Sequence, residues 1–184
     1  MLKNVDPKTR GVIIILLIVI GFIILYIIYR QIDKYIKDEK EGRNSKETVD
    51  DATREYQKLR NKGERLNHPE SAYQSSANAI EKLLNGCETF GSEMDSIKEV
   101  IKVVNKPIDW YFLIMAFGVR DIDNCGSFGF SQEKYDLPTL LKDQLDSSGA
   151  YNITNINGYN DYSFFTQDSV TVLENFLRTR GVTF

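Results

Sequence analysis

The sequence predicts an all-α protein in three parts: an N-terminal transmembrane helix, a polar helical stalk and a five-helix head with two long loops. Three observations predict it. An uncharged apolar run fills residues 11–29. A strongly polar stretch follows, to about residue 67. Beyond it, apolar residues recur at three- and four-residue spacing in blocks that Gly or Pro interrupts, the mark of successive amphipathic helices. The expected parts are 1–10 as a tail, 11–30 as the span, 31–67 as stalk or linker, and 68–184 as the head.

The span comes first. "GVIIILLIVIGFIILYIIY" is close to the roughly 20 residues that cross a hydrocarbon core as a helix. Val12, Ile15, Leu17, Ile20, Gly21, Phe22, Leu25 and Tyr29 are read as membrane-spanning. Tyr26 and Tyr29 stand at one end as an aromatic belt would, and Arg10 and Arg30 bracket the run. No small-x-small cleavage site follows, so the segment reads as a retained single-pass anchor. Lys3, Lys8 and Arg10 precede it, and Arg30, Lys34, Lys37, Lys40 and Arg43 follow, which leaves its orientation open.

The stalk is next. "EGRNSKE" reads as a helix break, and Val49, Ala52, Tyr56 and Leu59 form a thin apolar stripe on a solvated helix. A short coiled coil that sets an oligomeric state is the alternative reading.

In the head, Ala77, Ile80, Leu83 and Leu84 mark one helix, closed by Asn85-Gly86. Ser92 with Asp95 fits a capping box for the next, whose apolar face is Met94, Ile97, Val100, Ile101 and Val104. Pro107 opens "IDWYFLIMAF", apolar almost all round and so the central helix, which Gly118 ends. A glycine-rich loop follows, then a helix opened by Pro138. The segment "AYNITNINGYNDYSFF" has no helical period. Thr166 caps a last helix carrying Val170, Val172, Leu173, Phe176 and Leu177, and Gly181 stops it.

This order resembles one annexin-type repeat. Gly91-Ser92-Glu93 through Ile97, and Phe117-Gly118 with Arg120-Asp121, carry the likeness, which covers residues 77–184. The chain looks most like solitary annexin-like segments of bacteriophage-encoded proteins. The resemblance implies a structural role. It does not extend to the annexin calcium turn. "CET" separates Gly86 from Phe90, and Asp146-Ser147-Ser148-Gly149-Ala150 lacks an acid at the matching place.

Composition narrows the chemistry. The chain has 184 residues and a net charge of −3, so nucleic acid is not an expected partner. His68 is the only histidine, and Cys87 and Cys125 lack metal-ligand spacing. Zinc sites, Ser-His-Asp triads and Cys-His dyads are poorly supplied. "DIDNCGSFGFSQ" begins like an EF-hand loop, but Cys125 holds the fifth place and Gln132 stands where the bidentate glutamate belongs. Glu70 precedes a serine, as the catalytic glutamate of lytic transglycosylases does, without the rest of that signature. No catalytic, metal or cofactor residue is assigned. Tyr151, Asn155, Tyr159, Tyr162 and Phe164 form a candidate interaction loop, because Tyr and Asn suit interfaces.

The expected protein is a non-enzymatic, single-pass component of a membrane-containing bacteriophage virion. It would sit in the host inner membrane before assembly and in the internal virion membrane afterwards. Its expected partners are the bilayer, capsid or vertex proteins, and a second copy as a homo-oligomer. The alternatives are a membrane-anchored peptidoglycan hydrolase acting through Glu70, and a calcium-dependent annexin-like membrane binder.

Overall fold

A computed structural model describes residues 7–86, 92–126, 129–145 and 169–184. The chain divides into two compact units, Met1–Lys40 and Glu41–Phe184. The elements are α1 (Pro7–Asn61), α2 (Glu70–Leu84), α3 (Ser92–Val103), α4 (Pro107–Phe117), β1 (Arg120–Gly126), β2 (Gly129–Tyr135), α5 (Leu137–Gln144) and α6 (Ser169–Thr179).

Helix α1 contributes residues to both units. It meets no proline after Pro7 and ends where Gly63 takes a left-handed φ of 91°. The break expected at 41–47 does not occur. Gly42 and Ser45 are buried against β2, where the Ser45 hydroxyl donates to the Lys134 carbonyl at 3.2 Å. A Cβ on Gly42 would lie 3.1 Å from Lys134 Cδ, so glycine lets that side chain close over the helix. The stripe read as solvated is in fact a packing face. Ala52 and Tyr56 are buried in the head, and the Tyr56 ring lies 5.3 Å from that of Phe112. The compact unit therefore begins at Glu41, well before residue 68.

In the second unit α2 packs on α3 and α4, α3 on α6, and α4 on α5. Tyr73, Ile80, Ile97, Leu113, Leu140 and Leu173 are fully buried between them. Each such aliphatic side chain contributes roughly 1.5–3 kcal/mol by leaving water. Helix α4 is the central one, with Trp110 and Phe117 buried and Tyr111 and Phe112 half-buried. Gly118, at φ 66°, closes it by donating its N–H to the Ile114 carbonyl at 2.8 Å.

The head is not all helix. Residues read as a glycine-rich loop form an antiparallel hairpin in which Ile122 faces Glu133 and Arg120 faces Tyr135. Those residues turn toward the interior, where Ile122 and Tyr135 are buried. Asp121 and Lys134, paired across the strands on the outer face, stand 3.9 Å apart. The alternation of period two is real, and among the described side chains Ile122 and Tyr135 show it as apolar residues. The hairpin is tied to the end of α2. Gly86 N–H donates to the Asp123 carbonyl at 2.7 Å, and Asp123 N–H donates to Asn85 Oδ1 at 2.8 Å. Asn85-Gly86 thus ends α2 and also docks the hairpin.

Two caps differ from expectation. Ser92 is the first residue of α3, its hydroxyl is buried with no partner among the described residues, and Asp95 pairs with Lys98 at 2.6 Å instead of closing a box. Helix α5 is capped by Asp136, which accepts from Thr139 N–H at 3.0 Å and from its hydroxyl at 2.8 Å. Thr166, Cys87 and the calcium-turn positions 87–91 and 146–150 lie outside the described residues.

Candidate functional site

In the first unit, the described side chains of α1 at 16–20 and 22–37 are exposed on every side of the helix. Leu17, Phe22, Leu25 and Tyr29 are 59%, 68%, 63% and 69% exposed, and Ile20 is 42% exposed. Nothing lies within 4 Å of where a Gly21 Cβ would be. Val12 and Ile15 lie in the helical backbone, with side chains outside the described set. In water this much bare apolar surface is costly, at about 25 cal/mol per Å². Mean hydropathy reaches 2.0 over a stretch of α1 long enough to cross a bilayer, and none of that stretch is buried. A cleavable signal sequence shares these properties. Past the uncharged run, Arg30 and Lys34 stand one helical turn apart beside Tyr26, Ile27 and Gln31 and border an open recess of about 390 Å³.

In the second unit, the Asp109 carboxylate is fully buried in the first turn of α4 and accepts five hydrogen bonds. Its Oδ1 accepts from Asn67 N–H at 3.0 Å and from the Tyr73 hydroxyl at 2.5 Å. Its Oδ2 accepts from Asn67 Nδ2 at 2.6 Å, Asn105 N–H at 3.1 Å and Lys106 N–H at 3.2 Å. The last of these is the backward reach of an acid at the third helical position. Burial first, then the hydrogen bond to Asp109 and its negative charge, push the Tyr73 hydroxyl well above its usual pKa, against the pull of the His68 and Asn67 backbone. The single histidine sits at the rim, its Nε2 3.3 Å from Asn105 Nδ2. A carboxylate so enclosed has no face for a substrate; it ties residues 67 and 105–106 to α4.

Arg120 works similarly at the other end of α4. Its guanidinium pairs with Glu81, donates to the Asn78 side chain at 2.9 Å and the Phe117 carbonyl at 2.8 Å, and lies 4.6 Å over the Phe117 ring. The "FG-x-RD" string is therefore a clamp between α2, α4 and β1.

Two further recesses lie on the surface of the second unit, among the described residues. Glu70 is exposed at the start of α2, beside Phe112, Met115 and Ala116, in an open hollow of about 370 Å³. The hollow is open, with Glu70, Ser71 and Gln74 on its α2 side. A second groove of about 350 Å³ runs among α1, α4, α5 and the C-terminus. Trp110 and Phe184 meet edge to face there at 5.9 Å, with Lys142 Nζ 4.7 Å over the Phe184 ring. Tyr111 on its wall has its pKa raised, chiefly by burial and then by Glu55, with Lys58 opposing. Among the described residues no three His, Cys, Asp or Glu side chains gather in a way that could hold a metal ion.

The roles of Asp109 and Arg120 and the Phe184 contact were not foreseen from the sequence, in which Arg120 stood out only as part of the annexin-like string. The acid three residues after Lys106 was a readable signal for the first. The others depend on residues far apart in the chain. The candidate loop of Tyr151, Asn155, Tyr159, Tyr162 and Phe164 lies outside the described residues. Comparison with family models, with curated proteins and with solved structures finds no match to this chain.

Proposed function

We propose that this chain is a single-span membrane protein, anchored by α1, whose head docks other proteins and carries out no catalysis. The observation that supports it best is the exposed apolar surface of α1 from Leu16 to Tyr29, where no large apolar side chain is buried. A bilayer would cover such a surface on all sides at once. The resemblance of residues 77–184 to phage-encoded annexin-like segments extends the proposal. In this reading the protein is a virion component of a membrane-containing bacteriophage and links the internal bilayer to capsid or vertex proteins. The clamps at Asp109 and Arg120 suit a rigid docking head.

The anchor is tested by expressing the full chain and washing membranes with alkaline carbonate. It stays in the pellet with an intact N-terminus. Release, or a mature chain that starts beyond residue 30, overturns the anchor. The virion role is tested by probing purified particles with antibody to the head. Particles that lack the chain overturn it.

A further inference from the structure

The uncharged run ends at Tyr29, and the next turn carries two cations on one side of the helix. At 1.5 Å per residue, residues 11–29 span about 28 Å, close to the thickness of the hydrocarbon core. Arg30 is thus the first residue that reaches the headgroup layer when α1 crosses the bilayer. Helical side chains lean toward the N-terminus of their helix, here the lipid end. That lean brings the Lys34 ammonium, about 6 Å further out, back toward the level of the lipid phosphates, and the long Arg30 side chain reaches the same level by extending outward from the hydrocarbon edge. Tyr26, 64% exposed one turn deeper, places an aromatic ring with a polar tip beneath them.

Three features mark this as a ligand position. Arg30, Lys34, Tyr26, Ile27 and Gln31 border one open recess of about 390 Å³. Among the described residues neither cation is held by an acid, whereas Lys37 and Arg43, further along, have interactions of their own. Asp33 is the one acid within this turn, so the pair keeps an excess of positive charge. The guanidinium offers a planar fork that matches two phosphate oxygens, and the ammonium adds a point charge.

We propose that Arg30 and Lys34 form a clamp for the headgroup phosphate of an anionic phospholipid, with Tyr26 packed against its glycerol and upper acyl chain. The inference rests on the anchor reading and goes beyond it, because an anchor alone has no headgroup preference. A zwitterionic lipid presents the same phosphate, but its own cation competes with the second basic residue. A net-negative headgroup accepts both.

The test uses the full chain in nanodiscs of equal parts phosphatidylcholine and phosphatidylglycerol, with native mass spectrometry to count retained lipids. Phosphatidylglycerol is retained over phosphatidylcholine, and Arg30→Gln with Lys34→Gln lowers that preference by roughly fivefold per residue, as expected for a basic group near an anionic surface. The pair Lys62→Gln and Arg65→Gln, in the head, leaves it unchanged. Excess inorganic phosphate fails to displace the lipid. Equal retention of both lipids, an unaltered preference in the Arg30/Lys34 variant, or displacement by free phosphate overturns the clamp. Carbonate release of the unsubstituted chain overturns the anchor reading instead, and is scored separately.

Discussion

The Tyr73 hydroxyl donates to the Asp109 carboxylate at 2.5 Å, in an interior where both residues are fully buried. An α2 side chain and the first turn of α4 are thereby locked to one another, and the loop at Asn67 and the turn at Asn105 join them. Removing the acid orphans all of these donors at once. Asp109→Ala is expected to cost about 3–5 kcal/mol, the range for breaking a buried charged network. Tyr73→Phe keeps the ring and removes one donor, at about 1–3 kcal/mol. Denaturation of the detergent-solubilised chain, followed by fluorescence of the single, buried Trp110, reads both.

The same contact makes stability depend on alkali. Tyr73 titrates higher folded than unfolded, because burial and the neighbouring carboxylate disfavour its anion. Its contribution is complete below the unfolded pKa of about 10 and is lost as pH rises above that value. Tyr111, also raised, adds to the loss. Midpoints measured from pH 8 upward should fall beyond about pH 10. Tyr73→Phe should flatten that fall without abolishing it. An unchanged slope would remove Tyr73 from the account.

Residues 41–61 of α1 belong to the second compact unit, and Ala52 and Tyr56 are buried in it. Tyr56→Ala is expected to destabilise the head by about 3–5 kcal/mol, as loss of a buried aromatic ring does. A solvated stalk position would change stability by less than about 0.5 kcal/mol. The neighbouring Gln57, exposed on the same helix, supplies the control, and Gln57→Ala should be near neutral. Equal, small effects of the two substitutions would return this stretch to a solvated stalk.

Arg120 fastens the end of α4 to α2. Arg120→Ala should lower stability by about 2–3 kcal/mol, the range for a single hydrogen bond to a charged group, because the partly exposed Glu81 can rehydrate once its partner is gone. Arg120→Lys keeps the charge but not the fork, and should recover only part of the loss. Full recovery by lysine would mean that charge alone matters.

Phe184 covers Trp110 at the groove. Phe184→Ala should shift Trp110 emission to the red and lower stability by about 1–2 kcal/mol, for a half-buried ring with an aromatic and a cation partner. An unmoved spectrum would show that the C-terminal contact is dispensable.

Features that local chemistry dictates were legible before any fold was known. An uncharged run has one stable backbone in lipid, so the apolar helix could be read from residues 11–29 alone. The amphipathic faces of α2, α3 and α6 were legible from spacing, and Gly118 and Gly181 from their place after the last apolar residue. Long-range packing settled everything else. The stripe of Val49, Ala52, Tyr56 and Leu59 is too thin to say whether anything covers it; α4 does, through Phe112. "RDIDNCG" has weak strand character, and becomes a strand because Asn85, Gly86 and Ser45 take up its hairpin's free backbone groups. Asp109 reads as an ordinary helix-start acid until the fold seals it among donors from Asn67 and Tyr73. The reason is common to all three. Burial and hydrogen-bond partnership are properties of residues distant in sequence, and no local pattern encodes which distant group arrives.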